Sequence, residues 1–228
     1  MLTDTQTDLL FAARTAHQRR DWAASYQAFD LAGRHTSLHT DDLDAFAFAA
    51  WRLGYIKESS RAAERVFAEL TRTDPAAAAM KANELALAWL VRGDVNIGQG
   101  WMNRARRLLA NEDESAAHGY LTYLDAAVAA ISQDLDTLAV HVRALREMGG
   151  RLDAPAIGAL GLIAAGIEAI LNARTADGWA LIDEAMLPLL ADPEGPQAEM
   201  DGAVSAVTDV IDAFPAAYDA VWREGRRV

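Results

Sequence analysis

Histidine and aspartate residues lie close together in one segment of the chain where they could bind a metal ion. His35 and His39 are four residues apart, and Asp41 and Asp42 follow them. On a helix this spacing would place imidazole and carboxylate ligands on one face, as a zinc site requires. The polar residues around them, 34–40, indicate instead a solvated loop that joins two helical segments. We therefore predict no metal site and no cofactor.

The other residue types that catalysis uses show no catalytic spacing. Pairs such as Asp134 with Asp136 and Asp183 with Glu184 stand where helices are expected to begin, and carboxylates there usually cap the helix. The chain has no cysteine, which excludes disulfides, thiol catalysis and thiolate metal sites. It also lacks a glycine-rich phosphate loop, a nucleophile elbow and an HExxH pattern. The sequence predicts a protein that is not an enzyme.

The charge of the chain bears on the partners that it could bind. The formal net charge is −12, and a negative field of this size repels the phosphate backbone of nucleic acids. The first residues lack the basic and apolar regions of a secretion signal. The most apolar stretch, 154–167, is shorter than the ~18 residues that suggest a membrane span, so a buried helix is expected there. We expect a cytoplasmic protein that binds neither nucleic acid nor membrane.

Short turn signals recur along the chain at nearly constant intervals. They fall at 20–21, 54–55, 93–94, 133–134 and 173–174, so that the first residues are 34, 39, 40 and 40 positions apart. Apolar residues at helical spacing occupy the segments on both sides of each turn. A helical period of ~34 to ~47 residues is typical of stacked helix pairs. The pattern predicts an all-α protein, an α-solenoid of tandem antiparallel helix pairs.

The boundaries of the predicted pairs follow from capping and linker residues. We place the pairs near 4–33, 41–72, 75–110, 113–149 and 154–190, which makes residues 1–190 one domain of five pairs. Asp74 and Pro75 suit the beginning of a helix, and Gly149 with Gly150 suits the end of one. Residues 192–196 carry two prolines and a glycine, so 191–228 is predicted as a linker and a C-terminal capping helix pair.

Two features of the helices predict tight packing between them. Gly158, Gly161 and Gly166 each cost roughly 1 kcal/mol of helix propensity against alanine, which close approach of a neighbouring helix would explain. In the third pair, large side chains such as Trp89 and Trp101 fall on facing stripes. Trp89 is accordingly predicted to lie in the core, between the two helices of its pair.

The third pair resembles the tetratricopeptide repeat, or TPR. The first helix of that repeat carries a large and then a small apolar residue, its turn carries glycine and aspartate, and its second helix carries small contact residues. The matching residues here are Leu85, Ala86, Trp89, Gly93, Asp94, Gly98 and Ala105. The first and second pairs match at fewer positions. This resemblance implies a right-handed superhelix that binds other proteins through its concave groove.

A narrower resemblance extends over roughly residues 10–187. Segments 90–94, 98–101, 117–121 and 181–186 are similar to the repeat segment of LuxR-type actinobacterial regulators, which are large proteins with a C-terminal helix-turn-helix. After Pro188 the sequence departs from that pattern, and no basic DNA-reading helix follows. The resemblance implies a regulatory role without DNA binding.

The TPR resemblance also implies which residues line the groove. Positions two, five, nine, twelve and thirteen of each first helix face it in that family. Counted back from the turns, the groove residues predicted for the second, third and fourth pairs are Asp44, Phe48, Trp51, Arg52, Met80, Asn83, Leu87, Leu90, Tyr120 and Tyr123. Such a row of aromatic residues would suit a peptide or helix as partner. The alternative is that these side chains are core, covered by the curvature of the array or by a terminal helix.

Two functions from different classes remain open on the sequence alone. The first is a non-enzymatic protein–protein interaction or regulatory module that uses the groove, with an unidentified protein or peptide as partner. Self-association into a homodimer is a further possibility, through Trp222 and its neighbours near the C-terminus. The second is a small-molecule sensor, which would need an enclosed pocket among Trp89, Tyr120, Tyr123 and the glycine-bearing helix.

Overall fold

A computed structural model describes residues 4–34 and 37–191 of this chain. Within these ranges it contains ten α-helices and no strand. The helices are α1 (Asp4–Gln18), α2 (Trp22–Gly33), α3 (Thr40–Arg52), α4 (Ile56–Thr73), α5 (Pro75–Leu90), α6 (Val95–Leu109), α7 (Ala116–Ile131), α8 (Leu135–Leu152), α9 (Pro155–Leu171) and α10 (Thr175–Ala191). The predicted capping pair after α10 lies outside the described residues.

The chain divides into two compact units, residues 1–85 and 86–228, which we call unit 1 and unit 2. The boundary lies inside α5, so unit 1 holds α1 to α4 with most of α5, and unit 2 holds the remainder. Several helices that follow one another pack together, as α1 does with α2 and α3 with α4 in unit 1, and α7 with α8 and α9 with α10 in unit 2. The sequence pattern continues through α5 without a break and does not predict this division.

The same turn joins the two helices of every pair. All five turn positions predicted from the sequence fall between two helices, which confirms them. Each turn contains one residue with a left-handed backbone, and these residues are Arg20, Gly54, Gly93, Gln133 and Ala173, with φ between 56° and 81°. The next N–H donates to the carbonyl five residues earlier, over 2.8 to 3.0 Å. This is the Schellman motif, which satisfies the last carbonyls of a helix and sends the chain back antiparallel.

Side-chain caps begin several of the helices. The carboxylate of Asp74 accepts a hydrogen bond from the Ala77 N–H at 3.0 Å, as the sequence predicts. Asp21 and Asp134 cap the second helices of their pairs in the same way. At the beginning of α7 the N-cap residue is Ser115. Its N–H donates to Nδ1 of His118 at 3.2 Å, so the histidine side chain helps to cap the helix.

Small side chains fill much of the core of unit 1. Because alanine keeps side-chain bulk low, two helices approach closely and the few large residues fill the remaining volume. One cluster of buried residues joins α1 to α2, and a second joins α3 to α4. Their members are Leu10, Ala13, Phe29 and Ala32 in the first, and Leu43, Ala47, Ala62 and Val66 in the second.

Glycines allow the closest helix contacts of unit 2. A Cβ atom built on Gly166 would lie 2.7 Å from the carbonyl oxygen of Gly178 in α10, so the prediction of close approach is confirmed there. Around Gly161 the spacing is ordinary, and a Cβ on Gly158 would meet nothing within 4 Å. The sequence therefore predicts correctly that a neighbouring helix approaches α9 closely. Of the three glycines of α9, Gly166 has the shortest distance to that neighbour.

The predicted helix end at Gly149 and Gly150 is wrong. Helix α8 continues to Leu152 and ends at Asp153, which has a left-handed backbone with φ of 47°. Gly149 has a packing role instead, because a Cβ there would lie 2.9 Å from the backbone nitrogen of Gly158 in α9. Glycine is required at that position by the neighbouring helix and not by the local backbone angle.

The prediction that Trp89 is a core residue is also wrong. Its side chain is half-buried, and the guanidinium of Arg92 lies 4.3 Å from its ring centroid. The buried tryptophan of this helix pair is Trp101, which is 8% exposed. The helix α5 turns its alanines and leucines inward, and Trp89 at the last turn lies at the edge of that apolar stripe.

Alanine substitutions at two glycines of α9 should have opposite effects on stability. Gly166→Ala places a methyl group against the backbone of α10, and we expect it to cost about 1–3 kcal/mol of the free energy of unfolding. Gly158→Ala fills open space in a helix, and we expect a gain of roughly 0.5–1 kcal/mol from helix propensity. Urea denaturation of both variants measures the difference. Equal effects of the two substitutions would contradict the α9–α10 contact.

Candidate functional site

A bidentate ion pair joins α1 to α3 in unit 1. The Arg14 guanidinium donates from Nε to Oδ1 of Asp42 at 2.7 Å and from its terminal nitrogen to Oδ2 at 2.8 Å. The carboxylate is buried, whereas the arginine side chain is 57% exposed. Hydrogen bonding to Asp42, and then its charge, raise the pKa of Arg14. The pair fixes α1 against α3 and leaves the arginine at the surface.

A buried ammonium group links α5 to α3. Lys81 Nζ lies 2.6 Å from Asp44 Oδ1 and also forms a short ion pair with Glu84, one turn further along α5. Burial alone would lower the pKa of Lys81, but the charges of Glu84 and Asp44 and their hydrogen bonds outweigh it, and the pKa is raised above its ordinary 10.5. The stabilisation is therefore present below pH 10.5 and is lost as the pH rises through the folded pKa.

Four aromatic rings meet beside the C-terminal end of α3. Phe48 packs edge-on against Trp22 at 5.3 Å and against His17 at 5.8 Å between ring centroids. It also contacts Trp51, one turn further along the helix, at 5.8 Å. The guanidinium of Arg52 lies 5.7 Å from the ring of Trp51 and 5.9 Å from that of Trp22. Because the four rings are only half-buried, this cluster forms a surface.

Four of the predicted groove residues share one side of α3, which we call the α3 face: Asp44, Phe48, Trp51 and Arg52. Their positions in the helix span an arc of about 100°, since each residue turns the helix by about 100°. Helix α1 contacts this side through His17, and α5 contacts it through Lys81. The structure therefore brings together the predicted residues of the second pair in one neighbourhood of unit 1.

Three other residues predicted to line the groove are instead buried in the core. Asn83 is 2% exposed, although it lies about 200° around α5 from the buried Lys81. Tyr123 of α7 is 1% exposed and borders a small cavity that residues of α8 and α9 also line, and Leu90 is likewise buried. The remaining predicted residues are half-buried: Met80 of unit 1, and Leu87 and Tyr120 of unit 2.

Counting groove positions on the first helices misses half of the residues that make up this surface. Trp22 is the first residue of α2, which is the second helix of its pair, so a count on first helices does not include it. His17 lies in the first pair, for which no groove positions are predicted. Lys81 and Glu84 occupy positions of α5 next to the predicted ones. Their signal in the sequence is charge, because Lys81 is one of only two lysines and, with Glu84, is one of two charged residues in a mainly apolar helix.

Other site chemistries find no support in the described part of the chain. No group of three or more histidine, aspartate and glutamate side chains there could hold a metal ion. His39 is exposed at the beginning of α3, and His35 lies outside the described residues. None of the helices described is long and apolar enough to cross a membrane.

Two cavities lie in unit 2. One of about 10 Å³ adjoins Tyr123 and is lined by apolar residues of α7, α8 and α9. That volume is barely enough for one water molecule. The other is an open cleft of about 290 Å³ between α6 and α7, lined by Gln99, Met102, Asn103, Arg106, Asp125 and Val128. An ion pair of 2.8 Å between Arg106 and Asp125 lies in this cleft.

Comparison with known proteins identifies the fold. A thermophilic TPR protein of Thermus thermophilus is similar in structure, with a TM-score of 0.51, 17% sequence identity, and coverage of 90% of this chain and 99% of that chain. The sequence matches no protein-family description and no curated protein. The fold is therefore all-α, built of tandem TPR-like helix pairs as in an α-solenoid. At this identity the likeness extends to the fold alone.

Removing the ammonium of Lys81 and removing its two carboxylate partners should change the free energy of unfolding by different amounts. Lys81→Met keeps the buried stem and leaves Asp44 and Glu84, whose side chains are 41% and 52% exposed, in contact with water. We expect a cost below about 1.5 kcal/mol. The double variant Asp44→Asn with Glu84→Gln leaves a buried ammonium without a counter-charge, and we expect a cost of about 2–4 kcal/mol.

Urea denaturation of both variants tests this asymmetry. The control is Asp8→Asn with Glu64→Gln, which removes two exposed carboxylates of the same unit that lie beyond the first turns of their helices and should change stability by less than about 0.5 kcal/mol. A larger loss for Lys81→Met than for the carboxylate variant would show that the ammonium is not buried as described.

Proposed function

We propose that this chain is a protein–protein interaction module and that the α3 face of unit 1 binds a peptide segment of another protein. The observation that carries the proposal is the cluster of Trp22, Phe48, Trp51 and Arg52, which is held together by ring contacts and left half-exposed. Tryptophan and arginine are enriched among the residues that dominate binding energy at interfaces. The TPR-like fold supports the same function.

The rigidity of the cluster supports the proposal further. The rings pack against one another. The Arg14–Asp42 ion pair joins α1 to α3, and the Lys81–Asp44 ion pair joins α5 to α3. A preorganised surface loses little side-chain entropy when a partner binds, so more of the contact energy appears as affinity. Tryptophan and phenylalanine have few rotatable bonds, which adds to this advantage.

We further propose that the module is regulatory, non-enzymatic and cytoplasmic. The resemblance of residues 10–187 to the repeat segment of LuxR-type actinobacterial regulators supports a regulatory role. The absence of cysteine from the sequence is compatible with the reducing cytoplasm. The net charge of −12 favours a protein partner over a nucleic acid.

The small-molecule alternative has less to support it. The sequence places the pocket around Trp89, Tyr120 and Tyr123, but the cavity beside Tyr123 measures only about 10 Å³. Pockets that bind a metabolite or drug-sized ligand usually measure ~300 to ~1,000 Å³. The cavity beside Tyr123 is therefore much smaller than such a ligand needs.

Capture of a partner should depend on the α3 face. We expect the full chain to capture a specific protein from a lysate of the source organism, and the double variant Trp51→Ala with Arg52→Ala to lose at least about tenfold in affinity for it. Val140→Gln is the matched control, because this residue is 58% exposed on α8 of unit 2. Circular dichroism checks that each variant keeps its helices.

Two outcomes would count against the proposal. If the α3-face variant binds the captured protein as tightly as the Val140→Gln control, the binding surface lies elsewhere. If the captured protein is a second copy of this chain, the module is a homodimer and the heterologous partner is wrong.

A further inference from the structure

The two ends of the α3 face carry different charges. At the C-terminal end, Arg52 lies over the rings of Trp22 and Trp51 and is exposed to solvent. Among the described residues, no carboxylate forms an ion pair with it, in contrast to Arg14, which is paired with Asp42. A guanidinium supported on aromatic rings keeps its charge and its N–H donors available to an incoming carboxylate.

The N-terminal end of the face is acidic. Asp44 and Glu84 place two carboxyl groups around the single ammonium of Lys81. Burial and the charge of Asp44 raise the pKa of Glu84, and the ammonium of Lys81 opposes this shift. The lysine side chain is 9% exposed, whereas those of Asp44 and Glu84 are 41% and 52% exposed. A partner approaching from solvent therefore meets the carboxylates and not the ammonium.

The distance between the two ends is set by the helix. Asp44 and Arg52 are eight residues apart in α3, which corresponds to about 12 Å along the helix axis at 1.5 Å per residue. The aromatic side chains of Phe48 and Trp51 occupy the interval. The face therefore presents, in order, an acidic group, an apolar surface and a basic group.

We infer that the bound segment carries a basic side chain that pairs with Asp44 and Glu84, an acidic side chain that pairs with Arg52, and a large apolar side chain between them. This inference rests on the proposed function and adds the charge pattern of the partner to it. Charge complementarity is the reason, because a partner with the opposite order of charges would bring like charges together at both ends. The charges thus select both the composition and the direction of the bound segment.

The spacing of the partner's charges then reports its conformation. A segment in extended conformation covers about 12 Å in roughly four residues, at ~3.3 Å per residue. A helix needs about eight residues for the same length. Basic and acidic residues separated by about four positions would indicate a bound strand, and those separated by about seven or eight a bound helix.

Selection from a library of random twelve-residue peptides tests the inference. The full chain is the bait, selected peptides are synthesised, and fluorescence anisotropy measures their dissociation constants. We expect the selected peptides to carry one basic and one acidic residue on opposite sides of a large apolar residue. We also expect Arg52→Glu to weaken their binding at least about tenfold, and Glu84→Gln to weaken it about threefold.

A charge exchange makes the test specific. A peptide in which lysine replaces the acidic residue should bind the wild-type chain poorly and should bind the Arg52→Glu variant at least about fivefold more tightly than the original peptide does. The matched control is Arg65→Glu, which inverts an exposed arginine on α4 and should leave every dissociation constant within about twofold.

Different negative results would contradict the charge pattern of the partner and the binding function of the α3 face. Selected peptides without an acidic residue, or equal dissociation constants for the Arg52→Glu and Arg65→Glu variants, would overturn the charge pattern while the binding function stands. If the wild-type chain enriches no peptide above the Trp51→Ala, Arg52→Ala variant, the binding function of the α3 face is itself wrong, and the charge pattern is wrong with it.

Discussion

The left-handed residue between the two helices of each pair is the constraint on which the rest of the structure depends. At Arg20, Gly54, Gly93, Gln133 and Ala173 a positive φ lets the chain reverse within two or three residues. The same pair of hydrogen bonds closes each turn. Because the reversal is so short, the two helices are directed side by side and antiparallel, and α1 packs against α2, α3 against α4, α7 against α8 and α9 against α10. Three of these residues are not glycine, so they adopt this backbone at an energetic cost that the packing of the pair offsets.

The candidate site follows from this arrangement in unit 1. Once α1 and α2 are paired, Trp22 at the beginning of α2 is held next to His17 at the end of α1, and Phe48 of α3 packs against both. The Lys81 ion pair sets α5 against the same side of α3. The turn between α1 and α2 therefore positions the aromatic rings, and the Lys81 ion pair positions the carboxylates of Asp44 and Glu84. Helix α3 determines the distance between the rings and the carboxylates. The proposed binding of a charged segment needs all three.

Much of the fold was predictable because its signals are local. A turn signal and the apolar period around it involve neighbouring residues, so the five turns and their intervals could be found in the sequence. The burial of Asn83 and Tyr123 depends on which side of a helix faces the stack, which local counting from the turn does not determine. The role of Gly149 could not be predicted for the same reason. The sequence alone does not distinguish a glycine that ends a helix from a glycine that allows a neighbouring helix, here α9, to pack closely. Lys81 was missed because its partner Asp44 is 37 residues away.

The most direct test of this account exchanges glycine and alanine at two of the left-handed positions and measures the free energy of unfolding in urea. Gly93 has open space around it, so Gly93→Ala adds only backbone strain, and we expect a loss of about 1 kcal/mol. Ala173→Gly relieves the same strain, and we expect a gain of about 0.5–1 kcal/mol. The opposite pair of signs, with alanine more stable at 93 and glycine less stable at 173, would contradict the left-handed turns and the helix pairing built on them.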